Sequence, residues 1–386
     1  MARRLSDSAL SRCGTDLDMA QEQVPVRVCT FNIHGWRDTD HADNLERLTA
    51  CIREISPDVL VLQEVLHPYC PPSDPAAAAA YFETVKSGNG NGYPLACEDR
   101  TPYLTRLAVA AGLPHISFGH AVGDGYWGAV PYGNAVLSRF PVVGEKHAVM
   151  VPDAKHQAGR RIEAEDRCVS AVTLDVSKRG APNLTVVVTH LDQLSDELRT
   201  EQVRAVREFV ADAGPHMLVG DFNVFQKADC SDAQWGAIIA DADSKGWSHP
   251  PERTSALDSL LSSGYRDMFY CSDNHKLGRA DPSLALSRAA KDVSHPGATC
   301  WVAKPLLRID YAFLSADMVN ANVAQYQRVL DEASDHFPVV VDLRVAPFPR
   351  SHGQVVARAS SAYSGWGPAS SSSGEGSASD EEVCVN

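Results

Sequence analysis

His216-Met217-Leu218-Val219-Gly220-Asp221-Phe222-Asn223 is the stretch on which the fold of this chain turns. A largely apolar run leads into Gly-Asp-Phe-Asn, which reads as a short buried strand carrying polar groups to its carboxyl end. Side chains alternate along an extended segment, so Asp221 and Asn223 share one side while Phe222 faces the core. An anion and an amide side by side on a rigid strand end can orient a water or hold a charged oxygen. Taken alone, the same four residues also serve as an ordinary turn, because Asp and Asn close turns on their own backbone.

Working outward, Ser195 to Ala213 reads as the helix that precedes this strand. Before it, Arg167–Val176 and Leu184–Thr189 form a hairpin-like pair ending in His190. Near the N-terminus, Val26–Phe31 is a strand ending in Asn32. A helix follows with Leu45, Leu48, Ile52 and Ile55 on one face, and Pro57 stops it. Asp58–Leu62 is a second buried strand, ending in Gln63-Glu64. Thr101–Gly112 reads as a helix and Asn134–Ser138 as a strand. On the other side, 227–265 is mostly helical, Arg308–Ser315 is a strand, Ser334–Pro338 a turn and Val339–Val345 the last strand. Strands alternating with helices make this an α/β chain. The expected organisation is an arm over 1–24, one domain over 25–347, and a Ser/Gly-rich acidic tail over 348–386.

The 386 residues suffice for one large core. The net charge of −14 argues against a strong non-specific grip on duplex nucleic acid. Ten cysteines lie singly with no CxxC pair, as in a reduced protein without a zinc site or disulfide frame. No secretory signal and no apolar run long enough for a membrane span is visible, so the expectation is an intracellular protein, cytoplasmic or nuclear, and monomeric.

Six strand ends deliver polar groups: Asn32, Glu64, His190, Asp221 with Asn223, Asp310, and Asp335 with His336. Each has a bland reading as a cap or a structural hydrogen bond, but that reading gives no reason for six of them. Phosphate ester hydrolysis does. It needs a hard cation on the non-bridging oxygens, an activated in-line water, and donors for developing charge. Carboxylates such as Glu64 and Asp335 suit magnesium, a His held by an Asp suits base or charge-stabilising work, and neutral amides bind phosphate without adding charge.

The ordered set Thr30-Phe31-Asn32-Ile33-His34-Gly35, Leu62-Gln63-Glu64-Val65, Tyr132-Gly133-Asn134-Ala135-Val136-Leu137-Ser138-Arg139-Phe140-Pro141, Val188-Thr189-His190-Leu191, Gly220-Asp221-Phe222-Asn223, Arg308-Ile309-Asp310-Tyr311 and Ser334-Asp335-His336-Phe337-Pro338 resembles the endonuclease/exonuclease/phosphatase, or DNase I-like, superfamily. The resemblance covers about 26–345. It implies a four-layer αββα sandwich, two packed mixed sheets flanked by helices, with a magnesium-dependent phosphoesterase site at one edge, where Mn2+ is able to substitute. By that resemblance Glu64 is the main metal ligand, with Asn32 and Asp335 helping to hold the metal and its waters. Asp221 and Asn223 position nucleophile and phosphate. His336 is the base or proton relay, oriented by Asp310, and His190 stabilises charge on the scissile phosphate. Asn32, Asn134 and Arg167 fall where substrate contacts are expected, Asn134 equally as a structural amide.

The departures bear on the branch. His190 stands where apurinic endonucleases carry Asn. Val224-Phe225 and Arg308-Ile309-Asp310-Tyr311 differ from the inositol polyphosphate 5-phosphatase pattern. The leading expectation is a phosphodiesterase acting on nucleic acid or a nucleotide-like diester. The alternatives are a phosphomonoesterase or lipid phosphodiesterase, and a dead scaffold on the same fold. The irregular stretches 67–100, 120–131, 152–166 and 271–304 are where substrate recognition is expected. Tyr126, Trp127 and Trp301 there could stack on a base, and His156, Arg160 and Arg161 could meet phosphate or be a solvated face.

Overall fold

Alternation along the strands decides both what is core and what is site. The computed structural model describes residues 23–68, 101–122, 130–157, 164–246, 249–273, 298–300 and 307–346, with single positions between. The strands are β1 (Val24–Asn32), β2 (Val59–Leu66), β3 (His115–Val122), β4 (Tyr132–Ser138), β5 (Val142–Met150), β6 (Arg167–Leu174), β7 (Leu184–His190), β8 (His216–Asp221), β9 (Arg266–Asp267), β10 (Asp310–Leu314), β11 (Ala321–Arg328) and β12 (Val339–Val345). They form two six-stranded sheets, ordered β11-β12-β1-β2-β4-β3 and β5-β6-β7-β8-β10-β9. Both sheets are mixed: β1 is parallel to β2 and antiparallel to β12, and β7 is parallel to β8, which is antiparallel to β10.

Between the sheets lies a valine-rich layer: Val26 and Val28 of β1, Val59 and Val61 of β2, Val186 and Val188 of β7, Met217 and Val219 of β8, Val339 and Val341 of β12. The other parity faces outward. Phe31, Leu60 and Leu62 pack under α1 (Leu45–Ile55) and α2 (Tyr103–Ala111). Val187, Leu218, Phe222, Tyr311 and Phe313 pack under α3 (Asp196–Phe209) and α5 (Ser255–Ser262), with α4 (Asp232–Lys245) between these helices in the chain. The result is the expected four-layer αββα sandwich. The helix ends follow their chemistry. Ser195 caps α3 by accepting from Leu198 N, Ser231 and Gln234 form a capping box on α4, and Ser56 ends α1 in the left-handed conformation just before Pro57.

The interior strands lie where the sequence places them, but β3, β5, β9 and β11 were not anticipated, and β3 takes His120–Val122 out of the expected 120–131 loop. These four are the edge strands of the two sheets. An edge strand is half solvated, as the mixed burial along β5 and β11 shows, so it lacks a continuous apolar run. Residues 1–22 of the expected 1–24 arm, the expected 348–386 tail, Tyr126, Trp127, Arg160, Arg161 and Trp301, and most of 69–100 and 274–306, lie outside the described residues.

Candidate active site

The inner parity of the strands continues past the valine layer into the polar residues. Asn32 follows Val26 and Val28, His190 follows Val186 and Val188, Asp221 follows Met217 and Val219, and Asp310 precedes Ala312. The register brings them together, because His190 pairs with Asp221 across β7–β8 and Asp310 pairs with Asp221 across β8–β10. The site is therefore the polar mouth of the inter-sheet layer.

Glu64 breaks this parity. Strict alternation from Leu60 and Leu62 would send it outward beneath α1. The β2–β4 register shifts between Leu62 and Val65, however, and Glu64 takes a left-handed φ of 58°. This bulge redirects the side chain to the mouth, where Asn32 Nδ2 donates to Glu64 Oε1 at 2.8 Å. A non-glycine residue at positive φ is costly and persists where the surroundings over-determine it. Asn223 is another such residue, at φ 49°, with its N–H donated to Asp221 Oδ1 at 2.8 Å. β8 ends at Asp221, so Asn223 reaches the site by this Asx turn and not by strand alternation as expected.

Gly220 earns its place in the motif through close approach. Its φ is +141°, and a Cβ there would lie 1.9 Å from the Thr189 carbonyl oxygen of β7.

Around Asp221 the contacts are dense. Asn32 Nδ2 donates to its Oδ2 at 3.1 Å, with His190 Nε2 at 3.5 Å and His336 Nε2 at 3.7 Å from the same oxygen. His336 Nδ1 is 2.8 Å from Asp310 Oδ2, the paired arrangement expected. Asn223 Nδ2 donates to Leu191 O at 2.9 Å and lies 3.0 Å from His190 Nε2. Asp335, half-buried at the rim, is held by Ser334 Oγ, which also donates to Asn32 O at 2.8 Å.

Arg167 is buried with its NH1 3.1 Å from His190 Nδ1 and its NH2 on Glu165 at 3.1 Å and on Gln193. Asn134 is not part of this cluster. Its amide goes to Cys168 O and Sγ, both at 3.2 Å, which favours the structural reading. His156 is buried, with Nε2 2.9 Å from Glu201 Oε2, not on a basic face.

Sequence reasoning missed Asn44. Fully buried at the N-cap of α1, its amide reaches the carbonyls of Ile33 at 3.3 Å, Arg37 at 2.7 Å and Ala333 at 2.7 Å. It ties the loop after Asn32 to the loop before Asp335. The one available signal was an Asn directly ahead of an amphipathic helix, which ordinarily means only a cap.

The electrostatics sort the groups by role. Burial, then the charge of Asp335, pushes the Glu64 carboxyl up. Burial, then the Asp310 charge, pushes Asp221 up to about 7. Burial works against charge on His336, but Asp310, the Cys300 thiol and Asp335 outweigh it and raise His336 well above the histidine range. Burial, with the Arg167 and His336 charges, drives His190 well below it. Two histidines whose pKa values are pushed in opposite directions, on either side of one carboxylate, suit acid–base division of labour.

Glu64 and Asp335, both half-buried, repel each other, and hard oxygen donors of that kind fit a divalent cation. Asp221, Asp310 and His336 also offer ligand atoms within 4.8 Å of one another, although the His336–Asp310 hydrogen bond already engages two of them. The second such group among the described residues, His156, Glu197 and Glu201, has its cation in Lys155, whose Nζ is 3.5 Å from Glu197 and 2.5 Å from Glu201.

Residues 29–336 match the Endonuclease/Exonuclease/phosphatase family. The chain belongs to that family. Its members are phosphate ester hydrolases, generally dependent on a divalent metal, and this chain has the matching enzyme fold. No curated protein matches it. Among solved structures it is similar to an endonuclease/exonuclease/phosphatase from Beutenbergia cavernae DSM 12333, at 25% identity and TM-score 0.56 over 85% of this chain and 73% of that one. A family protein from Bacteroides thetaiotaomicron aligns at 16% identity and TM-score 0.51, over 84% and 98%. The mannosyl-6-phosphatase of B. thetaiotaomicron VPI-5482 aligns at 17% and 0.50, over 82% and 99%. These last two show the fold alone. Among the described residues no helix is long and apolar enough to cross a membrane, and the cysteines described are free thiols.

Proposed function

We propose that this family member is a Mg2+-dependent phosphodiesterase that hydrolyses a nucleotide-like or nucleic-acid diester by in-line attack of water. The observation that carries this reading is the convergence, on Asp221, of Asn32, His190 and His336. Glu64 and Asp335, with Asn32 beside them, are the residues that would hold the cation, and Mn2+ is able to replace Mg2+. When bound, the cation supplies charge neutralisation on the phosphoryl oxygens. Asp221 and Asn223 orient the attacking water. His336, kept in line by Asp310, handles the proton, and the His190 Nε2 edge faces the charge that develops on phosphorus-bound oxygen.

The surface favours a small diester over a long duplex. Arg27, Arg47, Arg106, Lys146, Lys155, Arg179, Lys227 and Arg253 are each neutralised by an acidic partner within 3.1 Å. A cation already paired releases few counterions on meeting a phosphate backbone. A phosphomonoester remains the second reading, because the same fold serves a mannosyl-6-phosphatase.

The test is product-resolved hydrolysis with Mg2+, with EDTA and His336→Ala as controls. The substrates are single- and double-stranded DNA, RNA, a cyclic or linear dinucleotide, a 5′-tyrosyl oligonucleotide, a sugar phosphate, a soluble inositol phosphate and sphingomyelin. Diester cleavage lost in both controls supports the proposal. Release of inorganic phosphate from monoesters alone replaces it with the second reading. A folded, Mg2+-binding protein inert to the whole panel overturns both.

A further inference from the structure

His190 sits between two nitrogen donors, Arg167 NH1 at 3.1 Å from Nδ1 and Asn223 Nδ2 at 3.0 Å from Nε2. A neutral imidazole has one acceptor nitrogen and an imidazolium none, while a guanidinium accepts nothing. The two contacts therefore cannot both be hydrogen bonds to the ring, and charge decides between them. A bond donated by a cation is about twice as strong as a neutral one. Arg167 is fixed in place by Glu165 and Gln193, and the Asn223 amide already has the Leu191 carbonyl at 2.9 Å.

We infer that Arg167 locks His190 in the neutral tautomer protonated on Nε2, so that His190 acts as a hydrogen-bond donor to the substrate phosphoryl group and Arg167 acts through it as a positioning residue. The inference rests on the phosphoester reading above. Its geometry includes a donor kept in reserve. The nearest carboxylate oxygen to His190 Nε2 is Asp221 Oδ2 at 3.5 Å, too long for a good hydrogen bond, so the Nε2 proton lacks a strong acceptor until an oxyanion arrives. Of the groups facing the ring, the Asp221 carboxylate favours a second proton, while burial and the charges of Arg167 and His336 oppose it and prevail. His190 thus stabilises charge without gaining or losing a proton, and proton transfer falls to His336. Arg167 would then not be a direct phosphate ligand, the role its position in the sequence first suggests.

Nitrogen-15 histidine NMR on the metal-free full-length protein reads the tautomer directly, with His190→Gln assigning the resonance. The expected result is an Nε2-protonated, Nδ1-bare ring throughout neutral pH. In Arg167→Gln the ring shifts to the Nδ1-protonated form or gains a second proton. kcat then falls on the order of 10²-fold while KM stays within about threefold. Arg167→Lys, which restores a cationic donor, recovers the tautomer and part of kcat. An Nδ1-protonated ring in the wild type overturns the inference, and needs no variant to fold. A rise in KM alone with an unchanged tautomer in Arg167→Gln also overturns it, by making Arg167 a substrate ligand. Failure of the phosphoester reading shows up separately, as no turnover by wild type on any substrate, because the tautomer is measured with none present.

Discussion

Asn32 and Asp221 join the two sheets at the site through one side-chain hydrogen bond, Nδ2 to Oδ2 at 3.1 Å. The same Asn32 amide nitrogen holds Glu64 at 2.8 Å, and its Oδ1 accepts the His34 N–H at 3.1 Å. Replacing it by a near-isosteric Asn32→Leu removes a donor from half-buried Glu64 and from buried Asp221. We expect a loss of about 1–3 kcal/mol in urea unfolding, with kcat/KM falling by at least 10²-fold. Unfolding curves paired with kinetics check both, and full activity in a stable Asn32→Leu would remove Asn32 from the machinery.

Glu64→Gln, Asp221→Asn and His336→Ala should each lower turnover by about 10²–10⁴-fold. The melting temperature of the metal-free protein should hold or rise for the two carboxylates, because burial and like charge already raise both pKa values and a neutral isostere relieves that cost. Calorimetric titration with Mg2+ separates them, since only Glu64→Gln is expected to lose most of the binding heat.

Gly220→Ala would place a methyl 1.9 Å from the Thr189 carbonyl at a φ of +141°. The β7–β8 ladder must part to admit it. The expected cost is about 3 kcal/mol or more, in the range of strongly destabilising single substitutions, seen as a lower urea midpoint together with lost activity. A midpoint matching wild type would show that the ladder yields cheaply.

Arg308 lies two residues before Asp310, just ahead of β10. It is buried over the rings of Tyr311 at 4.2 Å and Phe269 at 4.6 Å, and its NH2 is 2.6 Å from Asp267. Arg308→Met strands buried carboxylates and should cost about 3–5 kcal/mol. Arg308→Lys should not rescue it, since an ammonium cannot both stack and fork. Chemical denaturation of the two variants decides, and a Lys variant as stable as wild type would reduce the site to a point charge.

His67, edge-on to Phe118 at 5.1 Å, has its pKa lowered by burial from 6.5 to about 4. The unfolded chain binds a proton between those values that the native state refuses. Stability attributable to His67 is therefore complete above pH 6.5 and drains away as pH falls towards 4, by about 3 kcal/mol in total. His67→Asn should flatten that part of the stability–pH profile, and an unchanged slope would place the acid sensitivity elsewhere.

What could be read in the sequence was whatever is buried on both sides. The interior strands announce themselves as apolar runs ending in polar residues, and the positions of Asn32, His190, Asp221 and Asp310 follow from parity alone. Three kinds of feature did not show. Edge strands such as β5 are half solvated and carry no such run. The Glu64 bulge inverts the facing that alternation assigns, and only the β4 partner reveals it. The Asn134 contact depends on Cys168 across the sandwich, and those of Arg167 with His190 and of Asn44 with Ala333 on a neighbouring strand and a distant loop, information no local window contains.

Because the two sheets each supply half of the site, turnover is a gauge of how they sit on one another. A displacement of about 1 Å can cost 10²-fold in rate, far less movement than backbone spectroscopy registers. In rising urea the enzyme should therefore fall silent while its circular dichroism is still native, with slippage across the valine seam registering first as lost catalysis.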